Sequence, residues 1–152
     1  MVSSDVIDTL NGLIETCKDG EYGFRSCAAN ATRGDLSQLF AGRADECRRA
    51  ARELQTLVTQ LGGKAEESGT AAAAVHRGWV AVRSKLAGYT DLALLEECKR
   101  GEDVAMEHYR SALSESLPGG VVLLVQSQYE GVQQNHALMR GLRDEARLAA
   151  HA

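Results

Sequence analysis

Two nearly identical peptides in the chain each carry a cysteine four residues before a glutamate. LIETCKDGE at residues 13–21 returns as LLEECKRGE at residues 94–102, with six matches in nine positions. On a helix, this spacing places the thiol and the carboxylate on the same face, one turn apart. Neighbouring thiols can form a disulfide or bind a soft metal, and converging carboxylates make an acidic cluster. The residues of the repeat that could do chemistry are Cys17, Glu21, Cys98 and Glu102.

Helical periodicity describes nearly all of the chain and predicts an all-α fold. Apolar residues recur at alternating steps of three and four over residues 6–31 and again over 36–61. Two further long helices are predicted over about 90–116 and 121–149, separated by a break that contains the only proline. A shorter amphipathic stretch at residues 75–86 predicts an extra crossover helix. The prediction is a four-helix bundle of two antiparallel hairpins, with the crossover helix between the second and third long helices.

The repeat predicts an approximate two-fold axis between the two hairpins. Its copies lie midway along the first and third long helices, which are the matching first helices of the hairpins. Gly20 and Gly101 should then meet near the middle of the bundle. A glycine costs about 1 kcal/mol in helix propensity relative to alanine, and its missing side chain lets two helix backbones approach. We therefore expect a close helix contact at these glycines.

Carboxylates on all four long helices are expected at this middle level. Glu21 and Glu102 flank the apolar seams of the first and third helices. Asp45 and Glu46 lie about as far beyond the first hairpin turn as Glu21 lies before it, and Glu130 is roughly level with Glu102. The spacing therefore predicts that four carboxylates converge at the centre of the bundle. The apolar seam of the second helix also includes one charged side chain, from Arg43.

Length and charge narrow the class of protein. A chain of 152 residues is long enough to bury a core in a single domain, residues 1–152. Its net charge of −4 and its scattered basic residues disfavour nucleic acid as a partner. No apolar run reaches the roughly 20 residues of a membrane span, and the N-terminal MVSSDVID lacks the features of a signal peptide. We therefore expect a cytoplasmic protein with no membrane partner, whose four cysteines stay reduced.

Several longer segments resemble one bacterial family. LNGLIETCKDGEYGF, AVHRGW, RGEDVAMEHYRSAL and the LP turn before the final helix are similar to four-helix-bundle proteins that form a domain of unknown function within the ferritin-like superfamily. The resemblance covers about residues 5–143. It implies a ferritin-like bundle that typically associates with itself and is often placed among stress proteins. The family has no settled activity.

The resemblance also implies a candidate metal site. Ferritin-like proteins hold two iron or manganese ions with one Glu from each of two helices and a Glu-x-x-His from each of the other two. Glu21 and Glu102 match the single-Glu positions. Glu46 and Glu130 depart from the pattern, because arginine and glutamine stand three residues after them instead of histidine. An arginine one turn from Glu46 would neutralise the carboxylate and repel a cation.

His136 is the histidine that falls near the seam of a long core helix at about the right depth. Arg49 and Gln133 take the two places where the site needs imidazole. In the other interpretation, Glu21 and Glu102 are partly buried carboxylates held by Arg, Lys, Tyr129 or His136, within a satisfied polar network. The tentative set of metal ligands is Glu21, Glu46, Glu102, Glu130 and His136.

Two functions from different classes remain open at this stage. The first is a homo-oligomeric structural or stress-associated protein with a degenerate metal site and no cofactor, which associates through the crossover helix and exposed faces. The second is a di-iron or di-manganese carboxylate protein that acts in iron handling or oxidation. No nucleophile elbow, phosphate loop or Cys-His pair indicates hydrolase or transferase chemistry.

The cysteines leave their own alternatives open. Cys17 and Cys98 occupy equivalent positions in the repeat, so they could pair on oxidation or bind a soft metal together with Cys47. The simpler interpretation is that the cysteines are buried and behave as small apolar side chains.

Overall fold

The protein is all-α, as its periodicity predicts. The structure is a computed structural model, which describes residues 3–67 and 88–151. This part of the chain forms α1 (Ser4–Asn30), α2 (Gly34–Gln60), α3 (Asp91–Leu113) and α4 (Gly119–Ala150). None of these helices is both long and apolar enough to cross a membrane. The crossover helix predicted at residues 75–86 lies outside the described residues.

Polar side chains fix the ends of the helices. The Ser3 hydroxyl caps α1 by accepting a hydrogen bond from the backbone N–H of Val6 at 3.4 Å. The Thr90 hydroxyl caps α3 in the same way, from Ala93 at 3.1 Å. Asp91 accepts hydrogen bonds from the backbone N–H and the hydroxyl of Thr32, at 2.8 and 2.7 Å. The start of α3 is therefore tied to the turn between α1 and α2.

The helices form two hairpins that pack through their first members. α1 packs along α2, α3 packs along α4, and α1 also contacts α3. Thr16 of α1 contacts His108 of α3, whereas Thr32 beyond the end of α1 contacts Asp91 at the start of α3. Because residue numbers rise along one helix as they fall along the other, α1 and α3 are antiparallel.

The core has two apolar clusters with a polar layer between them. The first apolar cluster includes Leu10, Ile14, Leu54, Val58 and Val125. The second includes Phe24, Leu36, Phe40, Leu94 and Met139. Between them lies the central polar layer, which we define as Arg43, Glu46, Glu102 and Asn135. Gly20 and Gly101 are both buried and line one cavity at this level. The expected contact between the two glycines stays a prediction, since the near neighbour of Gly20 is Cys47 of α2.

We expect Gly20 to be required for close contact between α1 and α2. A Cβ atom at Gly20 would lie 2.8 Å from Cys47 Sγ, whereas one at Gly12 on the same helix meets nothing within 4 Å. Gly12→Ala should raise the free energy of unfolding by about 1 kcal/mol through helix propensity. Gly20→Ala should lower it by roughly 1–3 kcal/mol through overpacking, as measured by urea denaturation.

The double variant Gly20→Ala, Cys47→Ala relieves the steric contact and should recover most of the loss. Equal stabilisation by Gly12→Ala and Gly20→Ala would show that the contact imposes no constraint.

Candidate functional site

Arg43 of α2 and Glu102 of α3 form a buried ion pair in the central polar layer. Nε of Arg43 donates to Glu102 Oε1 at 2.7 Å, and Nη2 donates to Oε2 at 3.4 Å. The two side chains are only 9% and 1% exposed. The guanidinium carbon also lies 5.6 Å from the centre of the Phe24 ring, which is close enough for a cation–π contact. The pair therefore joins the two hairpins through a bidentate charge-assisted contact.

Glu46 and Asn135 extend the ion pair to the surface. Nη1 of Arg43 donates to Glu46 Oε2 at 3.3 Å, and Asn135 Nδ2 donates to the same oxygen at 3.2 Å. Glu46 is half-exposed, so its carboxylate keeps contact with water. The polar layer thereby connects α2, α3 and α4 and places two carboxylates around one guanidinium.

Burial and charge act in opposite directions on the two partners. Burial raises the pKa of the Glu102 carboxyl above its ordinary value, although the charge and hydrogen bonds of Arg43 oppose that shift. Burial alone would lower the pKa of the Arg43 guanidinium, but the Cys47 thiol and Glu102 carboxylate beside it raise the pKa overall. Arg43 therefore stays protonated. In the ion pair, the charge of each buried group is compensated by the charge of its partner.

The other predicted carboxylates lie apart from this pair. The Glu21 side chain is 23% exposed and lies 3.6 Å from Arg25 Nη2, which also binds Asp45 at 3.1 Å. Glu130 is exposed on α4. Of the carboxylates expected at the centre, the structure therefore brings together Glu102 and Glu46, with Arg43 between them.

His136 binds a carboxylate that the sequence analysis did not single out. Its Nε2 lies 2.5 Å from Asp103 Oδ1, and Lys99 Nζ lies 2.9 Å from the other oxygen of Asp103. Partial burial raises the pKa of Asp103, but the hydrogen bonds from Lys99 and His136 lower it overall. The imidazole is thus one member of a polar network between α3 and α4.

The residues in this arrangement do not fit a di-metal centre. In the described part of the chain, no three His, Cys, Asp or Glu side chains are grouped so that they could hold one metal ion. Both Glu102 oxygens accept hydrogen bonds from a guanidinium, whose positive charge lies where a cation would need to bind. The metal site assigned to Glu21, Glu46, Glu102, Glu130 and His136 stays a prediction.

Sequence reasoning missed the role of Arg43. It assigned the neutralising arginine to Arg49, which is exposed on the same helix. Arg43 lies three residues before Glu46 and is buried. The available signal was its position, because a charged side chain in an otherwise apolar seam must find a buried partner.

The four cysteines are buried and carry free thiols. Cys17 and Cys98 do not pair with each other, because the register of α1 against α3 places Cys17 near the level of His108 rather than of Cys98. Cys17 Sγ instead lies 3.2 Å from the hydroxyl of Tyr109, and the thiol of Cys98 is hydrogen-bonded with that of Cys27. Burial raises the pKa of Cys17 to about 11, so this thiol is neutral at pH 7.

This arrangement of two packed hairpins around a polar layer defines a ferritin-like four-helix bundle. A structure described as a dodecameric thioferritin, the bacterioferritin-related protein from Bacteroides fragilis, matches with a TM-score of 0.78 and 16% identity over 99% of this chain and 92% of that chain. A point mutant of Dps1 from Mycobacterium smegmatis matches with a TM-score of 0.75 and 17% identity over 93% of this chain and 99% of that chain. At these identities, the likeness shows the fold alone.

The chain belongs to the family described as domain of unknown function DUF2383, which matches residues 5–115. This confirms the family resemblance found in the sequence. Among curated proteins, no significant match was found.

Removal of Arg43 should leave the buried carboxylate of Glu102 unpaired and so destabilise the fold. Arg43→Leu should lower the free energy of unfolding by about 3–5 kcal/mol at neutral pH, whereas Arg43→Leu combined with Glu102→Leu should recover most of that loss. Without Arg43 the pKa of Glu102 rises further. A group whose pKa is raised on folding stabilises the fold when the pH lies below its pKa in the unfolded chain. That contribution is lost as the pH rises through its pKa in the folded chain. Urea denaturation should therefore show Arg43→Leu closer to wild type near pH 5 than near pH 8.

Arg49→Leu is the matched control, because it removes an exposed arginine from the same helix and should change stability by less than about 0.5 kcal/mol. If Arg43→Leu were as mild as Arg49→Leu at every pH, the ion pair would not matter to the fold.

Proposed function

We propose that this protein is a homo-oligomeric structural member of the ferritin-like superfamily, with an ion pair in place of a di-metal centre. The observation that carries this proposal is the bidentate contact between Arg43 and Glu102 at the middle of the bundle. The guanidinium supplies the positive charge that a metal ion would otherwise supply to the carboxylate. The bundle is thereby complete without a cofactor.

Electrostatic repulsion supports this interpretation. Two like unit charges about 4 Å apart repel by about 4 kcal/mol at an effective dielectric constant of about 20, and a divalent ion roughly doubles that figure. A metal ion bound to Glu102 would therefore have to displace Arg43 from its carboxylate partner. The displaced guanidinium would remain in a site where it is now only 9% exposed. That cost disfavours metal at this position.

The residues at the expected imidazole positions support the same interpretation. Arg49 and Gln133 are exposed on α2 and α4, so neither points a ligand atom into the buried layer. His136, which could have replaced an imidazole, is held by Asp103 at 2.5 Å. A di-iron or di-manganese function would therefore require all of these contacts to rearrange.

Assembly into a homo-oligomer is supported by the surface of α4. Among the described residues, the large apolar side chains that are well exposed are Leu123, Leu138 and Leu148, and all three lie on α4. Leu123 and Leu148 are about seven helical turns apart and therefore share one face of α4, which we take as the contact between copies. The Bacteroides fragilis relative is described as dodecameric. We also propose, from the family resemblance alone, that the role is associated with stress.

Metal loading tests the central part of the proposal. The purified protein, incubated anaerobically with ferrous iron, exposed to air and desalted, should retain no stoichiometric iron by elemental analysis. It should also gain no near-ultraviolet band from oxidised iron. The reason is that Arg43 occupies the carboxylate of Glu102.

The double variant Glu21→Ala, Glu102→Ala and the exposed control Glu107→Ala should give the same result as wild type. Two irons per chain in wild type and in Glu107→Ala, lost in the double variant, would establish the di-metal alternative instead.

Light scattering coupled to size exclusion tests assembly. Wild type should elute as a homo-oligomer at micromolar concentration. Leu123→Glu and Leu148→Glu should lower the molar mass, because each buries a charge in the proposed contact. Gln126→Glu, which is exposed on the same helix, should leave the mass unchanged. A wild-type monomer would remove the oligomeric part of the proposal.

A further inference from the structure

A cavity of about 220 Å³ lies beside the ion pair, within the bundle. Its wall includes the buried side chains of Cys17, Cys47 and Tyr109, and also the exposed residues Arg49 and Glu53. Because buried and exposed residues share this wall, the cavity runs from the core to the surface. Its lining combines apolar side chains with a few polar groups, as the lining of small-molecule sites does.

The charges around the cavity favour an uncharged occupant. Arg43 is already bound by the carboxylates of Glu102 and Glu46. Burial raises the pKa of both Cys17 and Cys47, so both thiols are neutral at pH 7. An anion would meet the carboxylates of Glu46, Glu53 and Glu102 in the wall, and a cation would meet the guanidinium groups of Arg43 and Arg49. A neutral molecule encounters neither penalty.

The hydrogen bonds between side chains of the cavity wall determine which polar group can still bond to a molecule in the cavity. Gln128 Nε2 donates to the Ala50 carbonyl and to Glu53 Oε1, each at 3.2 Å, which fixes the orientation of the amide. Gln128 Oε1 therefore accepts from the Tyr109 hydroxyl at 2.7 Å. Because that hydroxyl hydrogen is used, Cys17 must be the donor in its 3.2 Å contact with Tyr109.

One acceptor position on Tyr109 remains after these bonds. A phenol oxygen carries one donor hydrogen and two lone pairs, of which Cys17 takes one. The remaining lone pair can accept a hydrogen bond from a molecule in the cavity. A ligand with one N–H or O–H donor would satisfy it.

We propose that this cavity binds a small, neutral aromatic molecule of about ten non-hydrogen atoms that donates one hydrogen bond to Tyr109. The size follows from comparison with an engineered apolar cavity of about 150 Å³, which holds benzene. A cavity of about 220 Å³ has room for a fused two-ring compound. The aromatic character fits the Tyr109 ring and the apolar wall residues Ala105 and Val132.

Indole is the probe for this site, and benzofuran is the matched compound that lacks the N–H donor. Isothermal titration of the full-length protein should show one saturable indole site per chain. Benzofuran should bind about five-fold more weakly, which is the typical value of one net hydrogen bond. Tyr109→Phe should bring the two affinities together. Benzoate and benzamidine, of similar size but charged, should bind more weakly than indole.

Gly131→Leu should fill the site. Gly131 lines the cavity, and a Cβ atom there meets nothing within 4 Å, so the larger side chain has room and helix propensity improves. It should weaken indole binding at least about ten-fold, a change of 1.4 kcal/mol. Gly141→Leu, on the same helix but outside the cavity wall, should bind as wild type does.

Ala105→Leu fills the same cavity from α3 and provides a second variant if Gly131→Leu does not fold. Three results would overturn the proposal: no saturable indole binding by wild type, tighter binding of benzoate or benzamidine than of indole, or equal indole binding by wild type and the folded filling variants. Equal binding of indole and benzofuran by wild type would overturn the hydrogen bond to Tyr109.

Discussion

A guanidinium in the middle of a helical bundle must be compensated, and this constraint governs the architecture of the protein. Arg43 reaches Glu102 across the boundary between the two hairpins, at 2.7 Å. The contact requires α2 and α3 to keep one register, since a shift of one residue would separate two charges that are almost inaccessible to water. The apolar clusters on either side hold that register, and Gly20 leaves the space in which Cys47 and α2 approach α1.

Much of the fold follows from the sequence because helices are local. The alternating steps of apolar residues predicted α1 and α2 over 6–31 and 36–61, and the structure has Ser4–Asn30 and Gly34–Gln60. The break at Pro118 likewise separates α3 from α4. Gly20 and Gly101, which the repeat singled out, are both buried. These features depend on periodicity and turn residues, which a single sequence contains.

The details of the site depend on contacts between helices, which spacing does not determine. Cys17 and Cys98 are equivalent in the repeat, but the register of α1 against α3 places Cys17 beside Tyr109 and Cys98 beside Cys27. The position of Arg43 in the seam was visible, yet its partner depends on the register between α2 and α3. His136 was expected near the carboxylates, and its actual partner, Asp103, is the residue directly after Glu102. The packing of the helices also creates the cavity, which no sequence motif predicts.

In the function that we propose, the Arg43 guanidinium supplies to Glu102 the positive charge that a metal ion would otherwise supply. X-ray diffraction at the iron absorption edge, from crystals grown anaerobically with ferrous iron, tests this account most directly. We expect no anomalous peak within bonding distance of Glu102, with the Arg43 guanidinium in bidentate contact with that carboxylate. A peak at bonding distance from Glu102, with Arg43 turned away from it, would show that the carboxylate serves a metal ion instead.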